Sequence, residues 1–131
     1  MTLLPLAVVE SWQSAVNARD LDQLAALSAH DVEMVGPRGA GRGHEMLLHW
    51  AARAGFSADA LRWFCGRGGM VVVEQLGRWY LPDALGASER ILASAFTVRA
   101  GRVVRFQRFD ALQDALTAAA LTDDDEVIHR S

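Results

Sequence analysis

The sequence predicts a single α+β domain in which helices precede an antiparallel sheet and a last helix follows it. Three observations carry this reading. Apolar residues in the first third recur at three- and four-residue spacing, the period of a helix that buries one face. From Ala60 to Asp110 the pattern changes to runs of β-branched and aromatic residues separated by glycine-bearing turns, as in consecutive hairpins. From Ala111 to Leu121 the chain becomes alanine-rich and helical again, with Leu112, Leu116 and Ala119 on one face.

Pro5 suits a first helical turn, and Leu6, Val9, Trp12, Ala15 and Val16 follow at helical spacing, so the first helix is predicted over Pro5 to Ala18. Asp20 is a fitting N-cap for a short second helix carrying Leu21, Leu24, Ala25 and Leu27. His30 and Asp31 then close that helix and lead into a strand over Val32 to Val35. Gly36 to Gly43 holds four glycines and reads as a flexible loop. A third helix is expected from His44 to Ala54, ended by Gly55, with Met46, Leu47, Trp50 and Ala51 as its buried stripe.

The sheet is expected from four strands: Leu61 to Cys65, Met70 to Leu81, Arg90 to Val98, and a last strand to Phe109 after the Ala100-Gly101 turn. In the long second strand the odd positions Val71, Val73, Gln75, Trp79 and Leu81 are the more apolar set and should face inward, which turns Glu74 outward. Arg99, Arg102, Arg105 and Arg108 recur every three residues, so they cannot all lie on one face. Residues 122–131 are acidic and are expected to form a disordered tail beyond a domain spanning 1–121.

The 131 residues, half of them apolar, are enough for one hydrophobic core. A net charge of −3 argues against a nucleic-acid partner. The single Cys65 excludes an internal disulfide and fits a reducing compartment, so a cytoplasmic location is expected. The apolar start lacks a basic segment and is too short to span a membrane. No cofactor is indicated. The glycine loop has neither the terminal Gly-Lys-Ser/Thr of a P-loop nor a dinucleotide fingerprint. His44 and His49 are five apart and diverge by roughly 140° on a helix, so they do not share a metal. The acidic run lacks the spaced ligands of a calcium loop.

Ala15-Val-Asn-Ala-Arg-Asp-Leu21, His30-Asp-Val-Glu33, Gly41-Arg-Gly43 entering a helix, and Gly101-Arg-Val-Val-Arg105 occur in an order that resembles the SnoaL-like branch of the nuclear-transport-factor-2-like (NTF2-like) superfamily. The resemblance runs from about Val8 to Leu121. It implies a cone-shaped α+β fold, a curved antiparallel sheet wrapped around the N-terminal helices, with an apolar cavity and a homodimer formed through the outer sheet face. Ketosteroid isomerase, limonene epoxide hydrolase and polyketide cyclases share that fold, so it leaves function open. Matching to the isomerase places Trp12 at its phenol, Gly36 near its base and Ser94 near its protonated acid, and none can take those roles. Matching to the epoxide hydrolase places Arg108, or Gln107 after a one-residue slip, at its final-strand acid.

The same matching turns Val104, Phe106 and Arg108 of the last strand, and Leu92, Ser94 and Phe96 of the one before it, toward the cavity. Trp12, Met34, Trp50, Trp63, Gln75 and Trp79 complete the implied ligand-facing set. Arg108, with Asp110 or Glu74 as the acid, is the implied catalytic group. An inward guanidinium requires a partner. Either Glu74, Asp110 or Glu33 pairs with Arg108 structurally, or Arg108 holds an anionic or carbonyl oxygen of a ligand. Three functions follow: an isomerase-, hydrolase- or cyclase-type enzyme on a small apolar molecule, a noncatalytic binder using the same cavity, or a homodimeric assembly module.

Overall fold

The computed structural model describes residues 4–36, 39–53, 55–80 and 87–128. Helix α1 spans Pro5–Ala18, and α2 spans Leu21–Ala26, where the Asp20 carboxylate accepts from the Gln23 amide at 3.1 Å. Strand β1 covers Ser28–Gly36, four residues earlier than expected, so His30 and Asp31 belong to the sheet. The glycine loop is also partly strand. Gly39–Arg42 forms β2, which pairs antiparallel with β1, and Gly43 at φ +98° turns the chain into α3 over His44–Arg53. Small residues hid β2 from a search for β-formers, because backbone pairing alone makes it.

Strand β3 runs Phe56–Cys65, five residues longer at its start than expected, and carries a bulge between Ala60 and Arg62. That bulge interrupts the two-residue alternation and masks the strand's first half in the sequence. Strands β4 (Met70–Tyr80), β5 (Ala87–Arg99) and β6 (Arg102–Phe109) complete the antiparallel meander. Ala100 and Gly101 both take positive φ, the two-residue turn the sequence indicates. The predicted inward positions of β6 change at its start. A register shift between Thr97 and Val98 makes Val103 the fully buried residue and leaves Val104 only partly buried.

Helix α4 covers Leu112–Ala118. Part of the expected disordered tail is ordered: Thr122 and Asp125 form a capping box, and Glu126–Val127 pairs with β3 as strand β7. Arg62 holds Glu126 through two hydrogen bonds of 3.0 and 2.9 Å, which draw the Glu126 carboxyl below its ordinary pKa. The acidic run thus has a basic strand to bind. Leu81 and Pro82 to Gly86 lie outside the described residues, as does the end of the tail at 129–131.

The seven strands are ordered β2-β1-β6-β5-β4-β3-β7, with β1 parallel to β6 and every other pair antiparallel. One face of this curved sheet wraps α1. There Val8, Val9, Trp12 and Val16 pack with Val71, Val73, Leu92, Phe96, Val103 and Phe106. On the other face α4 lays Ala115, Leu116 and Ala119 over Phe64, Val72, Ala93 and Ala95. Among the described residues no helix is long and apolar enough to cross a membrane.

Candidate functional site

The inner face is filled by stacked rings. Trp12 is fully buried at its centre, with its ring centroid 6.4 Å from Trp50 and 5.2 Å from both Phe96 and Phe106. Its indole N–H donates to Ser28 Oγ at 2.9 Å, and Ser28 donates to the Leu24 carbonyl at 2.8 Å. Met34 lies opposite Phe106 in the parallel β1–β6 pair and packs against the same cluster. Trp63 is buried in this core opposite Val73.

Beside the rings runs a chain of buried polar side chains. Ser94 Oγ donates to Gln75 Oε1 at 2.7 Å, and Gln75 Nε2 donates to Gln13 Oε1 at 3.1 Å. Gln13 Nε2 then donates to Asn17 Oδ1 at 3.2 Å, while Asn17 closes a two-bond ring with the backbone of Ala58. Ser94 and Gln75 are therefore satisfied by protein groups, which ties α1 to β3, β4 and β5.

The ends of β4 and β6 and the starts of β3 and β5 meet at one end of the sheet, and the charged groups of the inner face collect there. Arg108 sits opposite Ser94, which settles that Arg108 rather than Gln107 faces inward. Its guanidinium carbon lies 5.3 Å from the Trp79 ring centroid and 5.8 Å from that of Phe56. Arg90 stacks on Trp79 as well, at 5.5 Å. Each such contact contributes about 0.5–2 kcal/mol. Burial first, and the nearby Arg90 charge second, lower the pKa of Arg108, with Asp110 acting weakly the other way.

None of the expected partners neutralises Arg108. Asp110 is exposed and pairs with Arg90 at 3.1 Å; Glu33 pairs with Arg105 at 3.1 Å and Arg42 at 3.4 Å. Glu74 lies opposite Arg62 and Ala93 on the outer face, away from the rings. The Arg108 Nε–H is buried and has no hydrogen-bond partner. Of the three residues implied as catalytic, Arg108 and Asp110 meet at the rim and Glu74 does not join them, because strand alternation puts it with Val72 under the α4 side.

Arg90 and Phe56 are part of this rim although neither was singled out from sequence. Arg90 was available by parity, since it shares a face with Leu92 and Ser94. Phe56 was not, because it precedes the β3 bulge. Among the described residues no group of three or more His, Cys, Asp or Glu is placed to hold a metal.

No protein-family model and no curated protein matches the sequence. The fold is matched closely by solved structures. An LEH-like epoxide hydrolase of M. tuberculosis superimposes with a TM-score of 0.73 at 17% identity, covering 91% of each chain. A hypothetical protein from Catenulispora acidiphila with a ketosteroid isomerase-like fold, in complex with trimethylamine, gives 0.71 at 19% identity, covering 89% of this chain and 95% of its own. TerC, co-crystallised with polyporic acid, gives 0.70 at 16% identity over 90% and 99%. The chain thus has the NTF2-like cone fold.

Proposed function

We propose, from that fold and its arginine-bearing rim, that this protein is a cofactor-independent pocket protein for a small, mostly apolar molecule with an anionic or carbonyl oxygen. Arg108 is the group that takes the oxygen. The observation that carries this is the buried Nε–H of Arg108 without a partner, on a guanidinium that makes no ion pair among the described residues. A buried donor without an acceptor costs about 1–3 kcal/mol, and a ligand oxygen removes that cost. The partly exposed Trp79 supplies flat apolar surface beside it, backed by the buried Phe56.

In a reaction of isomerase, hydrolase or cyclase type, Arg108 would stabilise negative charge developing on that oxygen. Asp110 is the carboxylate nearest this work, but its pairing with Arg90 weakens it as a base. That pairing favours the second reading, binding without turnover.

Polyporic acid, with which TerC was co-crystallised, is an acidic aromatic probe of this reading, and trimethylamine is its cationic counterpart. Titration followed by tryptophan fluorescence is expected to show saturable binding of polyporic acid and none of trimethylammonium. Arg108→Met should weaken the acid's binding about tenfold or more, the loss expected for a hydrogen bond to a charged group. Preference for the amine, or unchanged affinity in Arg108→Met, overturns the proposal.

The outer face supports a homodimer. Leu76 and the exposed Ile91 lie side by side there, beyond the reach of the α4 cluster, flanked by the alternating charges of Asp59, Arg78 and Glu89. A patch carrying both signs around an apolar pair is self-complementary, as a two-fold contact requires. Sedimentation should show a dimer that Ile91→Glu converts to monomer; a monomeric parent protein rejects the interface.

A further inference from the structure

A pocket lies at the other end of β6, six residues or roughly 20 Å along the strand from Arg108. It is open, about 340 Å³, and lined by Ala25 and Ala26 of α2, Ser28 and His30 of β1, His44 at the start of α3, and Arg102 at the start of β6. Every ionisable residue in this lining is basic. Arg102 is exposed, and its side chain makes no hydrogen bond or ion pair among the described residues, whereas Arg42, Arg62, Arg78, Arg90 and Arg105 are all paired.

The two histidines are oriented. His44 Nε2 lies 2.9 Å from the Ser28 carbonyl oxygen. A carbonyl has no proton to give, so Nε2 carries the hydrogen and Nδ1 is the ring nitrogen left over. The His30 ring stands 5.8 Å away at 64° to the His44 ring. Ser28 Oγ is engaged elsewhere, between the Trp12 indole and the Leu24 carbonyl, so the pocket wall is braced against the ring cluster.

Two imidazoles and a guanidinium around one opening select the charge of what enters. A divalent cation finds two ligands, a repelling Arg102, and no third His, Cys, Asp or Glu grouped with them among the described residues. An oxyanion finds the permanent charge of Arg102 and a ring N–H on His30, the His44 Nε2–H being already given to the Ser28 carbonyl. The methyl groups of Ala25 and Ala26 leave room for a compact apolar substituent. We propose that this pocket binds a small oxyanion of the phosphate type, either the free ion or a monoester with a small apolar group.

The test is an NMR titration of the isotopically labelled full chain with inorganic phosphate and, separately, phenyl phosphate, at ionic strength held constant with sodium chloride. Saturable shifts are expected at the Ala25, Ala26 and Ser28 amides, the His30 and His44 rings, and the Trp12 indole N–H. Equal affinity for the two probes identifies the free ion as the ligand. Tighter phenyl phosphate binding identifies the monoester.

Arg102→Gln should weaken binding about tenfold or more, while Arg53→Gln, at the far end of α3 from His44, should change it less than about twofold. His30→Gln is the second variant if Arg102→Gln fails to fold, with several-fold weakening expected. Absence of saturable shifts, equal loss in Arg53→Gln, or shifts at these residues produced by zinc and not by phosphate overturns the proposal.

Discussion

Trp12→Ala is expected to lower the unfolding free energy by about 3–5 kcal/mol, the range for deleting a large aromatic from a packed core. The fully buried indole touches Trp50, Phe96 and Phe106, so its removal opens space bounded by three other rings rather than by flexible chains. Phe96 and Phe106 also pack on one another at 5.1 Å, across two hydrogen-bonded strands, and so are poorly able to collapse inward. Thermal unfolding should fall by more than roughly 10 °C. Trp12→Phe separates packing from hydrogen bonding. It keeps most of the ring, removes the donor to Ser28, and leaves Ser28 bonded to Leu24, so its cost should be well under half that of the alanine variant. Equal losses in the two variants would mean that the indole hydrogen bond dominates.

Gln75→Leu should cost about 3 kcal/mol by a different route. The leucine fills the space, but Ser94 loses its acceptor and Gln13 Oε1 loses its donor in the interior. Each abandoned group costs about 1–3 kcal/mol. The double variant Gln75→Leu with Ser94→Ala removes one of the two orphans and should recover roughly half of the loss. Denaturant unfolding of the two single variants and the pair checks this. Strict additivity would show that Ser94 and Gln75 do not depend on one another, contrary to the 2.7 Å contact between them.

These variants separate what pattern shows from what contact decides. That Gln75 and Trp12 face inward follows from strand and helix periodicity, and the family resemblance adds Ser94; all three do. That Gln75 and Ser94 serve each other, with Gln13 and Asn17 continuing the chain, does not follow. The partners are 19 and 62 residues apart in the sequence, and no local pattern encodes such a meeting. The family resemblance implies that Ser94 faces a ligand. The register of β4 against β5 gave it a protein partner instead.

Arg108 shows the opposite outcome. The family resemblance placed it inward, and the expectation of a structural carboxylate followed from the cost of burying charge. The three candidate acids are all engaged elsewhere: Asp110 by Arg90, Glu33 by Arg42 and Arg105, and Glu74 by its outward position opposite Arg62. The choice among partners depended on which arginine reached each acid first, a matter of three-dimensional distance.

By itself the sequence determined the α+β class, the helix at each end of the meander, the β5–β6 turn and the face on which most core residues lie. Each is set within a few residues by side-chain period, glycine freedom and capping chemistry, and so survives without knowledge of the rest of the chain. Only the tertiary structure decided that glycine-rich residues 39–42 make a strand, that Glu126–Val127 closes the β3 edge, and that α4 covers part of the outer face. It alone set His30, His44 and Arg102 around one opening and left Arg108 between two rings without a carboxylate. Those features depend on backbone pairing and on encounters between distant charges, whose free energy is defined only once the sheet has fixed who is near whom.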